Sequence, residues 1–197
     1  MEELISSMII LVDTREKVNA HILEYFDKKN ITYKKKALDY GDYSFMIPAN
    51  EKLSIPRDLY FINKVVVERK ASLEEISNNL TKERDRVEKE LCLAPKTKVL
   101  LLENANYSDI ATGNYNTQYN KKSFWASIHS FWFKYNIPIF FTLYLLIKST
   151  RKSQLVRLMK LLVKKFTEKF LISLSIGLVD LLSKMRLRRK KNYNREF

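Results

Sequence analysis

Three consecutive valines run directly into three charged residues in the segment VVVERK, Val65 to Lys70. A run of β-branched apolar residues predicts a strand that is buried on both faces. Residues two apart in a strand share a face, so Glu68 and Lys70 are expected to point one way and Arg69 the other. A buried strand that ends with an acid and an amine on one face indicates a sheet edge that carries chemistry.

Before the valine run, the sequence predicts three strands and one helix. Met8 to Val12 is strand-like, and Val18, Ile22 and Phe26 recur at the spacing of an amphipathic helix. The segments ITYKKKAL and YSFMIPA are typical of strands, and the turn-forming tetrad DYGD joins them. We therefore expect a β-meander in this part of the chain.

After the valine run, helical and strand patterns alternate. Ser72 fits a helix N-cap, with Glu75 completing a capping box, and the helical pattern continues to Leu93. The segment KTKVLLLEN predicts a strand, KKSFWASIHSFWFKYN a helix and IPIFFTLYL another strand. Alternation of this kind predicts an α/β fold. A last helix is expected to end near residue 169, and its inward-facing residues are Leu155, Leu158, Met159, Leu162 and Phe166.

Aromatic residues are concentrated on the helix predicted from KKSFWASIHSFWFKYN. Because they recur on one helix rather than alternating with lysines, we expect them to pack in the core rather than to stack on nucleic-acid bases. They are Phe124, Trp125, Phe131, Trp132 and Phe133. The apolar run Phe170 to Leu182 is likewise expected to be buried, against the domain or against a second copy of the chain.

Charge and cysteine content narrow the possible partners. The formal net charge is +14, which predicts affinity for polyanions, and nucleic acid is the commonest polyanion in cells. The single Cys92 and two histidines exclude an intramolecular disulfide and a zinc cluster of the usual Cys/His kind. No apolar run reaches the length of a membrane span, so we expect a cytoplasmic protein with no membrane partner.

Several acids lie where predicted strands begin or end. Mg²⁺ is usually held by one or two carboxylates with water and substrate phosphate, so Glu68 needs a second acid. Asp42 lies at the entry to the preceding strand, and Asp13 and Glu16 follow the first strand. A lysine beside them, here Lys70, can polarise water and stabilise charge on a phosphate. Taken singly, each residue also fits a structural role as a solvated strand end, a turn residue or a helix N-cap.

Three segments carry a resemblance to a known family. VDTREK, LDYGDYSF and VVVERKASLEEI, in this order and spacing, resemble the nuclease domain of the XPF-type structure-specific endonucleases. The chain also resembles the short, stand-alone versions of that domain in phages and bacteria, and the resemblance covers Met8 to Thr142. The family signature is Gly-Asp, a variable gap, Glu-Arg-Lys, three residues and Asp. The resemblance implies a restriction-endonuclease-like fold with a central mixed β-sheet flanked by helices.

The resemblance also implies roles for individual residues. Asp42 and Glu68 would be ligands of Mg²⁺ or Mn²⁺, and Lys70 would be the catalytic lysine. The arginines that match family positions would orient acids or contact phosphate. The further active-site residues that the resemblance implies are Asp13, Arg15, Glu16 and Arg69.

One position departs from the family signature. Where the family has Asp, this chain has Glu74, one methylene longer, and we expect it to keep a function in the site. In the helix that follows, Lys82, Arg84 and Arg86 are candidates for DNA contacts. A solvated helix face with i,i+4 ion pairs explains the same three residues equally well.

The residues and the resemblance together favour a metal-dependent DNA endonuclease, and the resemblance implies branched, flap or fork DNA as its substrate in replication, recombination or repair. A non-cleaving DNA-binding protein on the same fold is the alternative, with Glu74 marking a weakened site. We expect a nuclease domain in residues 1–148, a helical segment in residues 149–183 packed on it or at a dimer interface, and a basic tail in residues 184–197. The expected partners are DNA and a second subunit, either another copy of the chain or a different protein.

Overall fold

The computed structural model describes residues 2–142 and 155–164. By its internal contacts the chain divides after Met159 into two units, and everything described below except residues 160–164 belongs to the first. The strands are β1 (Ile9–Val12), β2 (Tyr33–Lys35), β3 (Tyr43–Ile47), β4 (Leu59–Tyr60), β5 (Val65–Lys70), β6 (Thr97–Glu103) and β7 (Ile139–Thr142). The helices are α1 (Glu2–Ser6), α2 (Ala20–Lys28), α3 (Leu73–Thr81), α4 (Arg84–Leu93), α5 (Tyr107–Thr112) and α6 (Lys121–Tyr135). Both predicted domain boundaries, after residues 148 and 183, lie outside the described residues.

The seven strands form one mixed sheet in the order β2-β1-β3-β5-β6-β7, with β4 also paired to β3. β5, β6 and β7 run parallel, whereas β3 is antiparallel to its three partners, β1, β4 and β5. Apolar side chains of α3, α5 and α6 pack with those of β6 in one core cluster. The architecture confirms the predicted α/β class with a central mixed sheet flanked by helices.

The predicted meander is wrong in one respect, because β2 and β3 are not neighbours. β1 lies between them, parallel to β2 with Ile10 opposite Tyr33 and antiparallel to β3 with Ile10 opposite Phe45. β1 is almost wholly buried and needs a partner on each side, whereas β2 is mostly exposed. Lysines at positions 34 and 35 suit an edge strand, where charge discourages pairing with other chains.

The long helix predicted after Ser72 is divided into α3 and α4. The Ser72 hydroxyl accepts a hydrogen bond from the Glu75 amide over 3.3 Å, as expected of an N-cap. The predicted capping box is only half formed, because the Glu75 carboxylate accepts from the Ala71 amide rather than the Ser72 amide. Near the end of α3, the Asn79 side-chain amide donates to the Glu83 carboxylate over 2.9 Å, which ties the junction with α4 in place.

The aromatic helix α6 is buried along one face only. Phe124 and Phe131 lie in the core as predicted, but Trp125, Trp132 and Phe133 are 42%, 41% and 80% exposed, so the prediction fails for these three. The buried positions recur every three or four residues and define a single face, which leaves the remaining aromatic side chains outside it. Burial at helical spacing therefore decides which rings are core, and aromatic content alone does not.

The second part of the described chain is a helix over residues 155–164. Four of its predicted inward-facing residues are buried, and the fifth, Phe166, lies outside the described residues. The apolar run Phe170 to Leu182 lies outside them as well. In the described part of the chain, no helix combines the length and apolar character that crossing a membrane requires.

Candidate active site

Asp42 is bonded directly to the end of β5. Its amide donates to the Val67 carbonyl over 2.9 Å, and its carboxylate accepts from the Arg69 amide over 2.7 Å. Antiparallel pairing sets Tyr43 opposite Val67, so the start of β3 lies beside the end of β5. The structure thus brings Asp42 and Glu68 together from two neighbouring strands.

Gly41 allows this close approach. Its φ of +69° is a backbone conformation that residues with a side chain rarely adopt. An added Cβ would lie 2.9 Å from the Val66 Cβ. The same Cβ would lie 3.2 Å from the Val67 carbonyl oxygen. Glycine is therefore the residue that lets the chain turn tightly against β5 and present Asp42.

Glu68 and Lys70 line one cavity, as strand alternation predicts. The cavity has a volume of about 320 Å³, and Asp13, Arg15 and Asp42 line it too. The Lys70 ammonium lies 2.9 Å from the nearer Glu68 carboxylate oxygen. Acidic and basic side chains from separate segments of the chain therefore meet around one space.

Asp42 and Glu68 form a pair of oxygen donors that suits a divalent cation. Burial and the charge of Glu68 raise the pKa of Asp42 to about 7. Within residues 2–142 and 155–164, no group of three or more His, Cys, Asp or Glu side chains is arranged to hold a metal ion. Mg²⁺ and Mn²⁺, however, need only one or two carboxylates alongside water and phosphate oxygens. Asp42 and Glu68 would hold such a cation, whose charge would relieve their mutual repulsion.

The raised pKa predicts that Asp42 destabilises the metal-free fold at high pH. The pKa of Asp42 is about 7 in the folded chain against 3.8 for an unperturbed aspartate. Ionisation of Asp42 lowers the free energy of unfolding. This loss is absent at pH below the lower of the two pKa values, grows between them and is complete above the higher one. In metal-free buffer near pH 8, Asp42→Asn should therefore unfold at a higher urea concentration than the unchanged protein. The difference between the two urea midpoints should shrink towards pH 4, and a pH-independent difference would contradict the assignment.

Lys70 is held as a cation. Burial alone would lower its pKa, but the charge and hydrogen bond of Glu68 and the charges of Glu75 and Asp42 together raise it. The Lys70 ammonium lies 3.5 Å from a Glu75 carboxylate oxygen. A protonated amine can stabilise negative charge on a phosphate, so the site supports this role for Lys70.

Asp13 and Arg15 form the rim next to Asp42. The buried Asp13 carboxylate accepts from the Arg15 side chain over 2.7 Å and from the Leu38 amide over 3.2 Å. The Asp13 amide donates to the Asp42 carbonyl over 2.8 Å. Arg15 remains 67% exposed, which leaves its guanidinium accessible to a ligand. Asp13 therefore fixes the segment that carries Asp42.

Arg69 points to the other face of the sheet and joins two acids. Its guanidinium donates to Glu16 over 3.2 Å and to one oxygen of Glu103 over 2.9 and 2.7 Å. His21 lies 3.1 Å from the same Glu103 oxygen. Sequence reasoning missed Glu103, although KVLLLE repeats the pattern of VVVERK, an apolar strand that ends in an acid.

Glu74, the residue in place of the family Asp, is bound to a different segment. Its carboxylate accepts from the Asn116 amide over 2.9 Å, and this bond lowers the pKa of Glu74. The next residue, Glu75, is the one whose carboxylate contacts Lys70. The acid at the start of α3 that contacts Lys70 is therefore one position later than the family signature implies.

The three candidate DNA-binding residues differ in their surroundings. Arg84 is paired with Glu88 over 2.9 Å, and Arg86 is paired with Glu83 and Glu90. Lys82 is exposed at the end of α3. The two arginines thus form the helix-surface ion pairs that were the alternative explanation of these residues.

Comparison with known proteins agrees with this arrangement. A model of the ERCC4 domain matches residues 12–144, more than half of the chain, which confirms the resemblance drawn from the three sequence segments. XPF from Aeropyrum pernix is similar in structure at 18% identity and a TM-score of 0.52, over 81% of this chain and 61% of that one. XPF from Aeropyrum pernix in complex with DNA is similar at 18% identity and a TM-score of 0.54, over 80% and 65%. The chain thus spans less than two thirds of each, and the likeness shows the fold. No curated protein matches the chain.

Proposed function

The chain belongs to the ERCC4 domain family, and from this membership we propose that it is a metal-dependent endonuclease that hydrolyses phosphodiester bonds in DNA. The observation that carries the proposal is the meeting of Asp42, Glu68 and Lys70 at one cavity. Hydrolysis of a phosphodiester needs charge stabilisation at the phosphate and an activated water, and two acids with a protonated amine can provide both.

Each side chain has its own task in this proposal. Asp42 and Glu68 would hold Mg²⁺ or Mn²⁺, which supplies Lewis acidity when bound. Lys70, oriented by its contact with Glu68 at 2.9 Å, directs its ammonium at the charge that builds on the phosphate. Asp13 keeps the Asp42 segment in place, and the exposed Arg15 binds a phosphate oxygen near the site.

We propose branched, flap or fork DNA as the substrate, in replication, recombination or repair. Family membership supports this, as does the formal net charge of +14. Lys82 is an exposed cation available to the phosphate backbone, whereas Arg84 and Arg86 would have to exchange their present carboxylate partners for phosphate. A DNA substrate and the lone Cys92 support a cytoplasmic setting.

Labelled DNA tests this function directly. The purified chain is incubated with flap, fork, four-way junction and plain duplex DNA, each with Mg²⁺, with Mn²⁺ or with a chelator. We expect cutting of at least one branched substrate with either metal and none with the chelator. Binding of these substrates by folded protein with no cutting in either metal would refute the proposal.

One observation favours the second candidate, a non-cleaving DNA-binding protein. Glu74 is bonded to the Asn116 amide rather than facing Lys70, so the acid of the family signature does not contribute at that place. The same assay separates the candidates, because a binding protein would retain every substrate uncut. The contact of Glu75 with Lys70 supports the endonuclease, since it supplies a carboxylate beside the lysine.

An exposed group of rings on α5 and α6 supports self-association. Trp125 and His129 stack at a centroid distance of 4.0 Å, and Tyr107 meets His129 edge to face at 5.8 Å. Exposed aromatic side chains that adjoin one another are typical of protein interfaces, and Trp and Tyr are common energetic centres there. We therefore propose that a second copy of the chain covers this surface. The ring surface comprises Tyr107, Trp125, His129, Trp132 and Phe133.

Removal of two of these rings should weaken self-association. For the double variant Trp132→Ala and Phe133→Ala we expect the dimer dissociation constant to rise by about tenfold or more, because buried aromatic anchors dominate interface energies. Sedimentation equilibrium over a range of concentrations measures it. Tyr60→Ala, which removes an exposed ring on β4, is the matched control and should leave the constant unchanged. An unchanged protein that stays monomeric throughout would refute the proposed interface.

A further inference from the structure

We propose that Glu103 is a positioning residue of the active site, acting through Arg69 on Glu16 and on Asp42 at the cavity. The inference rests on the proposed function, since it assigns a further residue to that site. Glu103 does not reach the reacting atoms in this role. It fixes Arg69, whose side chain bonds Glu16 and whose backbone amide bonds Asp42.

Strand register places Glu103 beside Arg69. β5 and β6 are parallel, with Arg69 opposite Leu101, so Glu103 follows two residues later on the same face. One carboxylate oxygen of Glu103 accepts from Nε of Arg69 over 2.9 Å and from Nη2 over 2.7 Å. The Glu103 side chain is 3% exposed and that of Arg69 is 5% exposed. Neither group can turn to water, so each depends on the other for its charge partner.

Arg69 transmits this constraint towards the cavity in two ways. The third guanidinium nitrogen, Nη1, donates a hydrogen bond to the Glu16 carboxylate over 3.2 Å. The backbone amide of the same residue donates to the Asp42 carboxylate over 2.7 Å. Glu103 therefore holds the side chain of Arg69, which orients Glu16. The backbone amide of Arg69 orients Asp42. His21, at 3.1 Å from Glu103, completes the arrangement from α2.

The loss of Glu103 would leave a buried guanidinium without its main acceptor. Glu16, 3.2 Å from Nη1, is the acid bonded to the Arg69 side chain that remains, and a released guanidinium would be drawn to it. This movement would displace Glu16 and shift the Arg69 backbone amide, on which the orientation of the Asp42 carboxylate depends. A structural role alone would instead lower stability and leave the folded fraction fully competent, which gives the two roles different signatures.

The test uses Glu103→Gln and Glu103→Asp in the full chain, with Glu88→Gln as matched control. Glu88 is also an acid bonded to basic side chains, those of Arg84 and Lys134, but it lies on α4. For Glu103→Gln we expect kcat for DNA cleavage to fall by about 10- to 100-fold, and the Mn²⁺ dissociation constant without DNA to rise several-fold. Glu103→Asp should lie between that variant and the unchanged protein, and Glu88→Gln should match the unchanged protein in both readouts.

A double-variant comparison separates positioning from general destabilisation. In an Arg69→Gln background, Glu103→Gln should cause little additional loss of Mn²⁺ affinity, because the link is already broken. Folded Glu103→Gln protein with Mn²⁺ affinity and cleavage equal to those of the unchanged chain would overturn the inference. If Glu103→Gln does not fold, the test uses Glu103→Asp and the double variant Arg69→Gln with Glu103→Gln, with the same two measurements. If the unchanged protein cuts no substrate, the proposed function fails. The inference about Glu103 is then judged by Mn²⁺ affinity alone, and equal Mn²⁺ affinities of Glu103→Gln and the unchanged protein would overturn it.

Discussion

Lys70→Ala is expected to lower the rate constant for DNA cleavage by about 100- to 1,000-fold, the usual effect of removing a charge-stabilising donor from a transition state. The ammonium of Lys70 lies on the cavity between Glu68 and Glu75 and is held in its charged form by these acids. Alanine removes the charge without filling the space. Single-turnover cleavage of a labelled branched substrate with saturating Mg²⁺ measures the effect on the chemical step.

DNA binding should remain nearly unchanged in the same variant, which separates catalysis from affinity. Fluorescence anisotropy in Ca²⁺, which supports binding without fast cutting in many nucleases, gives the dissociation constant. Lys89→Ala is the matched control, because it removes an exposed lysine from α4. A Lys70→Ala protein that cuts at the unchanged rate would remove Lys70 from the mechanism. A loss of cutting that merely follows a loss of binding would assign Lys70 to affinity instead.

Gly41→Ala is expected to lower the free energy of unfolding by about 2–4 kcal/mol, through a strained backbone and an overpacked contact together. The backbone at Gly41 has a φ of +69°, and the added Cβ would lie 2.9 Å from the Val66 Cβ. Because Asp42 is the next residue, cleavage should fall further than the loss of folded protein explains. Urea unfolding followed by circular dichroism measures the stability term.

Gly113→Ala is the control for the backbone contribution alone. Gly113 also has a positive φ, +82°, but an added Cβ would meet only the Lys121 side chain, at 3.6 Å or more. Its expected loss is about 1 kcal/mol, the strain of a left-handed residue. Combining Gly41→Ala with Val66→Ala removes the crowded atoms and should restore part of the stability. Equal losses at the two glycines would show that the contact with Val66 contributes nothing.

The active centre was predictable where its residues obey local rules. Alternation along a strand is enough to place Glu68 and Lys70 on one face and Arg69 on the other, and the charges after the valines mark the strand end. The turn before Asp42 carries a glycine where a positive φ is required. The α/β class follows from periodicity in the same way, whereas the central mixed sheet was implied by the family resemblance.

The remaining features depend on contacts between distant segments. Whether Glu74 or Glu75 reaches Lys70 depends on the Asn116 amide, which lies 42 residues further along the chain and captures Glu74. The position of β2 at the edge depends on how buried β1 is, and the exposure of Trp132 depends on which face of α6 the sheet covers. The pattern of KVLLLE marks Glu103 as a strand-ending acid, but its pairing with Arg69 follows only from the register of β5 and β6.

The alternation of β5 also limits how this family can vary in length. Its three motif residues serve both faces of the sheet, with Arg69 bound to Glu103 on one side and Glu68 and Lys70 at the cavity on the other. A single-residue insertion after Val67 would exchange the two faces, burying a carboxylate beside Glu103 and directing a guanidinium into the cavity. Insertions and deletions are therefore expected to accumulate in the loop between β3 and β5 and to be excluded from the strand itself.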